Sequence, residues 1–241
     1  MEENLRNYEK DTPQYFFYKT MHENQNLDFV KKQYEKYSKL NNRKMTMKDA
    51  LLLMDTFIDP SDPDVDVPNS IHAYQTAESI RKRYPEDKQL QIVGLIHDLG
   101  KVLFTFGEPN WAVVGDTYVL GCEFPTSIVY YDTLRESPEF NKYDKLGVYK
   151  PACGLDNLVL SYGHDEYLYQ VLMGNKNHRL SKKNMDIIRY HSFYPWHTSG
   201  EYRHLMSEKD YDTLNHVLDF NEFDLYSKVD DTIITAETKL Y

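Results

Sequence analysis

The chain has 241 residues, 27% charged and 41% apolar, with 28 basic against 38 acidic side chains and a formal net charge of -10. That size and balance fit one globular domain, or two at most, and the negative charge disfavours a nucleic-acid or anionic-membrane partner. Without a run of 18 apolar residues no transmembrane helix is expected.

Residues 1–25 read as an irregular arm. Residues 26–40 carry apolar side chains at helical spacing. Thr46 precedes MKDALLLMDTFI and has Asp49 three residues on, a capping-box pattern. The next stretch, DPSDPDVDVP, is a loop, because its prolines cannot continue a helix. Asn69 or Ser70 is expected to cap a helix that stops near Pro85. The following helix, expected over residues 87–104, carries His97 and Asp98 side by side in an apolar context. Residues 105–125 are rich in glycine and aromatics and read as a pocket-forming segment, the one place that suits short strands. Residues 155–173 read as a helix, weakened by Gly163. Ser181 is expected to cap a helix ending before Pro195, and Ser207 to cap a last one reaching residue 228. The expected fold is all-α, a single helical domain over residues 1–241 with irregular pocket-forming loops.

Charged side chains are rarely buried without a partner, so the His97-Asp98 pair draws attention. His72, His164, His191 and Asp224 stand in separate helical segments. Imidazoles with carboxylates suit first-row transition metals, and a set without thiolates argues against a structural zinc site. A carboxylate has two oxygens and can bridge two metals. His72, His97, Asp98 and Asp224 would then bracket one metal, and His164 with His191 would hold a second that shares Asp98. Six ligands for two metals leave open positions, as catalytic centres require. Taken singly, a histidine on an apolar face is more often a hydrogen-bonded core residue, and Asp165, beside His164, has the same formal claim to bridging as Asp98. His22, His178, His204 and His216 read as solvated, and His197 as a support beside the ligands. Lys101 and Lys228 lie four residues after His97 and Asp224, one helical turn from each ligand. There a cation can hold a substrate hydroxyl or oxyanion, although a lysine reaching to solvent is the commoner case. The aspartates of the acidic loop (Asp59, Asp62, Asp64 and Asp66), with Ser61, read either as turn formers or as polar groups aimed at a polyol.

The strings HDLGKVL, GEPNWAVVGDT, SYGHDEY and HSFYPWHT, in this order, resemble the myo-inositol oxygenase family, and the likeness spans residues 5–228. The resemblance implies a helical fold of the HD-domain type, with residues 1–25 packing over the site. It implies two iron ions, Fe(II)/Fe(III), held by His72, His97, Asp98, His164, His191 and Asp224, with Asp98 as the bridge. It implies O2-dependent cleavage of the C1–C6 bond of myo-inositol to D-glucuronate, the first step of inositol catabolism. Asp98 and Lys101 would be catalytic. Arg6, Asp59, Ser61, Lys101, Gly115, Asp116, His191, Ser192 and Lys228 would line the substrate pocket. A cytoplasmic location is expected, since Cys122 and Cys153 form no disulfide framework and no signal peptide is visible; a monomer is expected too, with no feature of the sequence to argue it. Two departures from the family stand out. Pro60 stiffens the loop between Asp59 and Ser61, and the chain ends at Tyr241, where members continue with a further helical segment. The His-Asp pair by itself fits a metal-dependent phosphohydrolase of the HD superfamily and an oxygenase equally; a metal- or sugar-binding protein without turnover is a third reading, against which the intact six-residue set argues.

Overall fold

The computed structural model describes residues 9–57, 59–61, 68–175 and 177–226. Nine α-helices and several 3-10 segments make up these residues, and among them no strand occurs; Val119 and Leu160 form one isolated bridge. The fold is therefore all-α. The short strands expected in residues 105–125 do not form. Their backbone groups go instead to side chains and neighbouring loops, as where the Glu139 carboxylate accepts from Gly121 N at 2.9 Å and Val159 O from Leu120 N at 2.9 Å.

Chain order explains where the helices begin. The first, α1 (Pro13–Asn24), replaces the irregular arm expected there: Thr12 accepts from Tyr15 N, and Pro13 fills the first turn, where its missing N–H costs nothing. Asn26 caps α2 (Leu27–Tyr37), and Thr46 with Asp49 closes the anticipated capping box on α3 (Met47–Met54). At α4 (Asn69–Arg83) the capping expectation fails. Pro68 holds the cap position, and Asn69 is the first helical residue, with its amide donating to Phe57 O at 2.7 Å. The helix expected over residues 87–104 is broken at His97-Asp98 into α5 (Lys88–Ile96) and a 3-10 helix, Leu99–Phe106. The helix expected from residue 155 starts only at His164, giving α6 (His164–Gly174); before it lie the 3-10 turn Leu155–Asn157 and an extended run that hydrogen-bonds to other segments. Ser181 caps α7 (Lys182–Tyr190) as expected, and Pro195 lies in the first turn of the short α8 (Tyr194–His197). The last helix, α9 (Asp210–Tyr226), opens three residues after Ser207, whose N–H and hydroxyl both donate to Asp210 Oδ2.

α4 and α5 pack as a hairpin, α6 pairs with α7, and α9 packs against α7 and α4. The apolar core runs through Ile80, Val93, Leu103, Ile188, Val217 and Phe220, all sealed from solvent. No helix among the described residues is long and apolar enough to cross a membrane.

Candidate metal centre

Five of the six expected ligands stand at helix ends or next to them, and those ends converge. His97 follows α5, Asp98 precedes the 3-10 helix, His164 opens α6, His191 follows α7, and Asp224 lies in the last turn of α9; His72 is one turn into α4. The break after α5 is what sets the His-Asp pair. His97 N bonds Val93 O, four residues back, whereas Lys101 N bonds Asp98 O, three back. In a 3-10 turn, side chains three apart eclipse, so Lys101 stands over Asp98 and not over His97. Gly100 permits the approach of this turn to α6: a Cβ there would fall 1.8 Å from His164 O.

The side chains form two adjoining groups, and Asp98 faces histidines of both. Asp224 Oδ1 lies 2.8 Å from His72 Nε2 and 3.5 Å from His97 Nε2. Asp98 Oδ1 lies 3.2 Å from His164 Nε2 and 3.7 Å from His191 Nε2, while its Oδ2 lies 3.6 Å from His97 Nε2. The ligand atoms of His72, His97 and Asp224, and those of His97, Asp98 and His191, fall within 4.8 Å of one another. All six residues are buried. Asp165 is elsewhere, accepting from Thr117 Oγ1 at 2.7 Å. Its hydrogen bond faces the loop, so of Asp98 and Asp165 it is Asp98 that lies among the histidines.

The chemistry of this donor set fits metal ions. The Nδ1 atoms of His97, His164 and His191 donate to the carbonyls of Gly94 (2.9 Å), Val113 (2.9 Å) and Ile188 (2.7 Å). A carbonyl can only accept, so the proton sits on Nδ1 and the Nε2 lone pair points inward, as in metal-binding histidines. The Nε2 atoms of His164 and His191 are only 3.2 Å apart. Facing lone pairs beside two carboxylates make a site that a cation stabilises. Burial would raise the pKa of Asp98, but Lys101 and the surrounding histidines outweigh it and hold the carboxyl well below its usual range. Burial is likewise outweighed at Asp224 by His72 and His97.

Lys101 does not reach solvent. It is 7% exposed and lies between Asp59 Oδ2 (2.8 Å) and Asp98 Oδ2 (2.9 Å), with Asn69 Oδ1 at 3.5 Å. Burial would lower its pKa; the two carboxylates outweigh that and keep it charged. Through Lys101 the Asp59 turn, where Asp59 Oδ1 accepts from the N–H and hydroxyl of Ser61, is tied to the centre. Segment 113–117 links the start of α6 to the residues just after α7: Val113 O accepts from His164, and Thr117 N donates to Ser192 O. Gly115 lies between them at φ 106, a left-handed conformation that suits glycine. Tyr18 Oη donates to Asp116 Oδ1 at 3.1 Å and accepts from Asp116 N at 3.2 Å. Arg6, Lys228, Asp62, Asp64 and Asp66 lie outside the described residues.

Several contributors were not legible beforehand. Asn69, read as a cap, is a partner of Lys101; Tyr18 lay in the presumed arm, although the Thr12-Pro13 helix start was a usable signal. His197 supports the centre as expected, its Nε2 lying 3.0 Å from His191 O. His22 is not solvated: it is fully buried, with Nδ1 2.6 Å from Thr133 Oγ1. His178, His204 and His216 are only partly exposed, and the first two hydrogen-bond backbone.

Fold and site together define an all-helical protein with a buried, thiolate-free histidine–carboxylate centre able to hold metal. Residues 13–241 match the family described as myo-inositol oxygenase. The inositol oxygenase of Mus musculus is 49% identical over 218 residues, covering 89% of this chain and 76% of that protein, and the Homo sapiens protein gives the same figures. Inositol oxygenase 1 of Arabidopsis thaliana is 46% identical over 231 residues, covering 93% and 74%. The chain belongs to the myo-inositol oxygenase family and is an oxygenase enzyme.

Proposed function

We propose that the chain binds two iron ions in an Fe(II)/Fe(III) pair bridged by Asp98, and uses O2 to cleave myo-inositol between C1 and C6, giving D-glucuronate. In this reading His72, His97 and Asp224 hold one ion, and His164 and His191 the other. The observation that carries it is the convergence of inward-facing Nε2 atoms on two carboxylates, with three of the rings fixed through Nδ1 to backbone carbonyls. When bound, the irons supply Lewis acidity toward the substrate oxygens and the redox capacity that O2 requires.

The remaining chemistry belongs to side chains. Lys101, buried and charged beside Asp98, stabilises negative charge on an inositol oxygen next to the bridge, where low dielectric strengthens the interaction. Asp59 and Ser61 on one side, and Gly115, Asp116 and Ser192 on the other, present polar groups to the hydroxyls of a polyol. Tyr18 fixes the Asp116 backbone and side chain together, so α1 acts as a cover that shapes the pocket and keeps water out. A helical fold of the HD-domain type and a cytoplasmic location complete the reading; both described cysteines are free thiols.

The test is anaerobic protein loaded with iron, given myo-inositol and then O2. D-glucuronate formed with one O2 consumed per inositol is the expected result. Phosphate released from a phosphoester without O2 uptake would overturn it.

A further inference from the structure

The two helices that present His164 and His191 are joined by a buried ion pair lying two residues from each histidine. Glu166 sits in the first turn of α6 and Arg189 in the last turn of α7. Arg189 Nε donates to Glu166 Oε2 at 2.7 Å, and the two side chains are 8% and 4% exposed. The guanidinium also donates to Asp156 Oδ1 and to the Tyr190 hydroxyl, each at 3.1 Å, and lies over the Tyr169 ring, 4.5 Å from its centroid. Glu166 Oε1 accepts from Gln170 at 3.3 Å.

A buried ion pair is weak as a source of stability, because desolvation offsets its attraction; its attested use is to fix register. This one joins α6 to α7 at the end where the two Nε2 atoms lie 3.2 Å apart. Only a planar fork can bind Glu166 and Asp156 while stacking on Tyr169, so a lysine in place of Arg189 would keep the charge and lose the geometry. Among the described residues, the hydrogen-bond partners of the pair come from α6, α7, the 3-10 turn Leu155–Asn157 and, through Tyr34, α2. They do not come from α4, α5 or α9, which carry or adjoin His72, His97 and Asp224.

We propose that Arg189 and Glu166 are positioning residues for one half of the metal centre, setting the separation of His164 and His191 and leaving the His72/His97/Asp224 half untouched. The inference rests on the two-metal reading above.

The experiment is a titration of the metal-depleted protein with Co(II), read by ligand-field absorption and by equilibrium dialysis, with no turnover involved. Wild type is expected to take two ions. Arg189→Gln and Glu166→Gln are expected to take the first with unchanged affinity and the second about 10- to 100-fold more weakly, the usual range when a group that orients a ligand is lost. Arg189→Lys recovers little of that loss. Glu108→Gln is the control for destabilisation alone: it removes a carboxylate held by Gln33, Lys36 and Tyr37, away from the ligand helices. It is expected to lower Tm and to keep both ions. Equal weakening of both ions in Arg189→Gln, or two ions bound as tightly as in wild type, would overturn the proposal. Should Arg189→Gln not fold, Arg189→Lys is judged by the same two outcomes. Wild type binding fewer than two ions would instead overturn the two-metal reading, and this inference with it.

Discussion

His22 and His97 are both buried histidines in helical surroundings, and their environments drive them in opposite directions. His22 packs against the rings of Tyr18 and Tyr118, with centroids at 6.0 and 5.4 Å. Thr133 Oγ1 already donates to Tyr130 O, so His22 Nδ1 donates to Thr133, and Nε2 has no partner among the described residues. Burial pushes its pKa down to about 3. At His97 burial acts the same way, yet the carboxylates of Asp98 and Asp224 outweigh it and raise the pKa above the ordinary 6.5. Both rings tie Nδ1 to an oxygen. The difference lies in what Nε2 meets: no hydrogen-bond partner among the described residues in one case, carboxylate in the other. Burial therefore does not distinguish a proposed metal ligand from a core histidine, and the company of carboxylates does.

The largest effect that would break this contrast comes from truncating both rings. His97 faces both carboxylates of the centre, so His97→Ala is expected to lose iron and all turnover. His22→Ala and His178→Ala, where they fold, are expected to keep their iron, measured by elemental analysis after anaerobic loading. Equal iron content in all three would remove the distinction. Next in size is Lys101→Met, which leaves the six ligands in place. It is expected to retain iron and lose roughly 100-fold or more in kcat, the scale of losing one preorganised charge-stabilising group. Unchanged kinetics would reduce Lys101 to a structural counter-ion.

The smallest effect is on pH stability. The folded pKa of His22 lies below its unfolded value of 6.5, so between pH 6.5 and about 3 the unfolded chain binds a proton that the folded one refuses. Stability contributed by the neutral ring is fully present above pH 6.5 and falls as the pH drops, by about 1.4 kcal/mol per unit at most. His22→Gln is expected to flatten that part of the curve of denaturant midpoint against pH. An unaltered slope would mean that the ring is protonated in place.

Much of this could be read from the chain alone, for reasons that differ by residue. Thr46 and Ser181 act locally, within three residues of their partners, so their caps were legible. The cluster of histidines and carboxylates was legible because its residue types are costly to bury unpaired. The break at His97-Asp98 was not, because the apolar pattern of LQIVGLIHDLGKVL runs through it; the close approach at Gly100 shows that contact with α6, a tertiary effect, shapes this turn. Asn69 was assigned a local role that Pro68 fills, and its partner Lys101 lies 32 residues away. Residue type announces an unusual chemistry more readily than it announces which distant partner completes it.

The lysine wedged between two carboxylates carries a consequence for affinity. Its ammonium has three hydrogens, and Asp59, Asp98 and Asn69 take up all three. In the proposed reaction an incoming hydroxyl would not simply add to that shell; it would trade places with an occupant, and the amide oxygen at 3.5 Å is the one held most loosely. Capture at this position is an exchange with little net change in the number of hydrogen bonds. Its free energy is a difference between two comparable contacts, which keeps the ground-state grip modest while leaving the full charge available once the oxygen turns anionic.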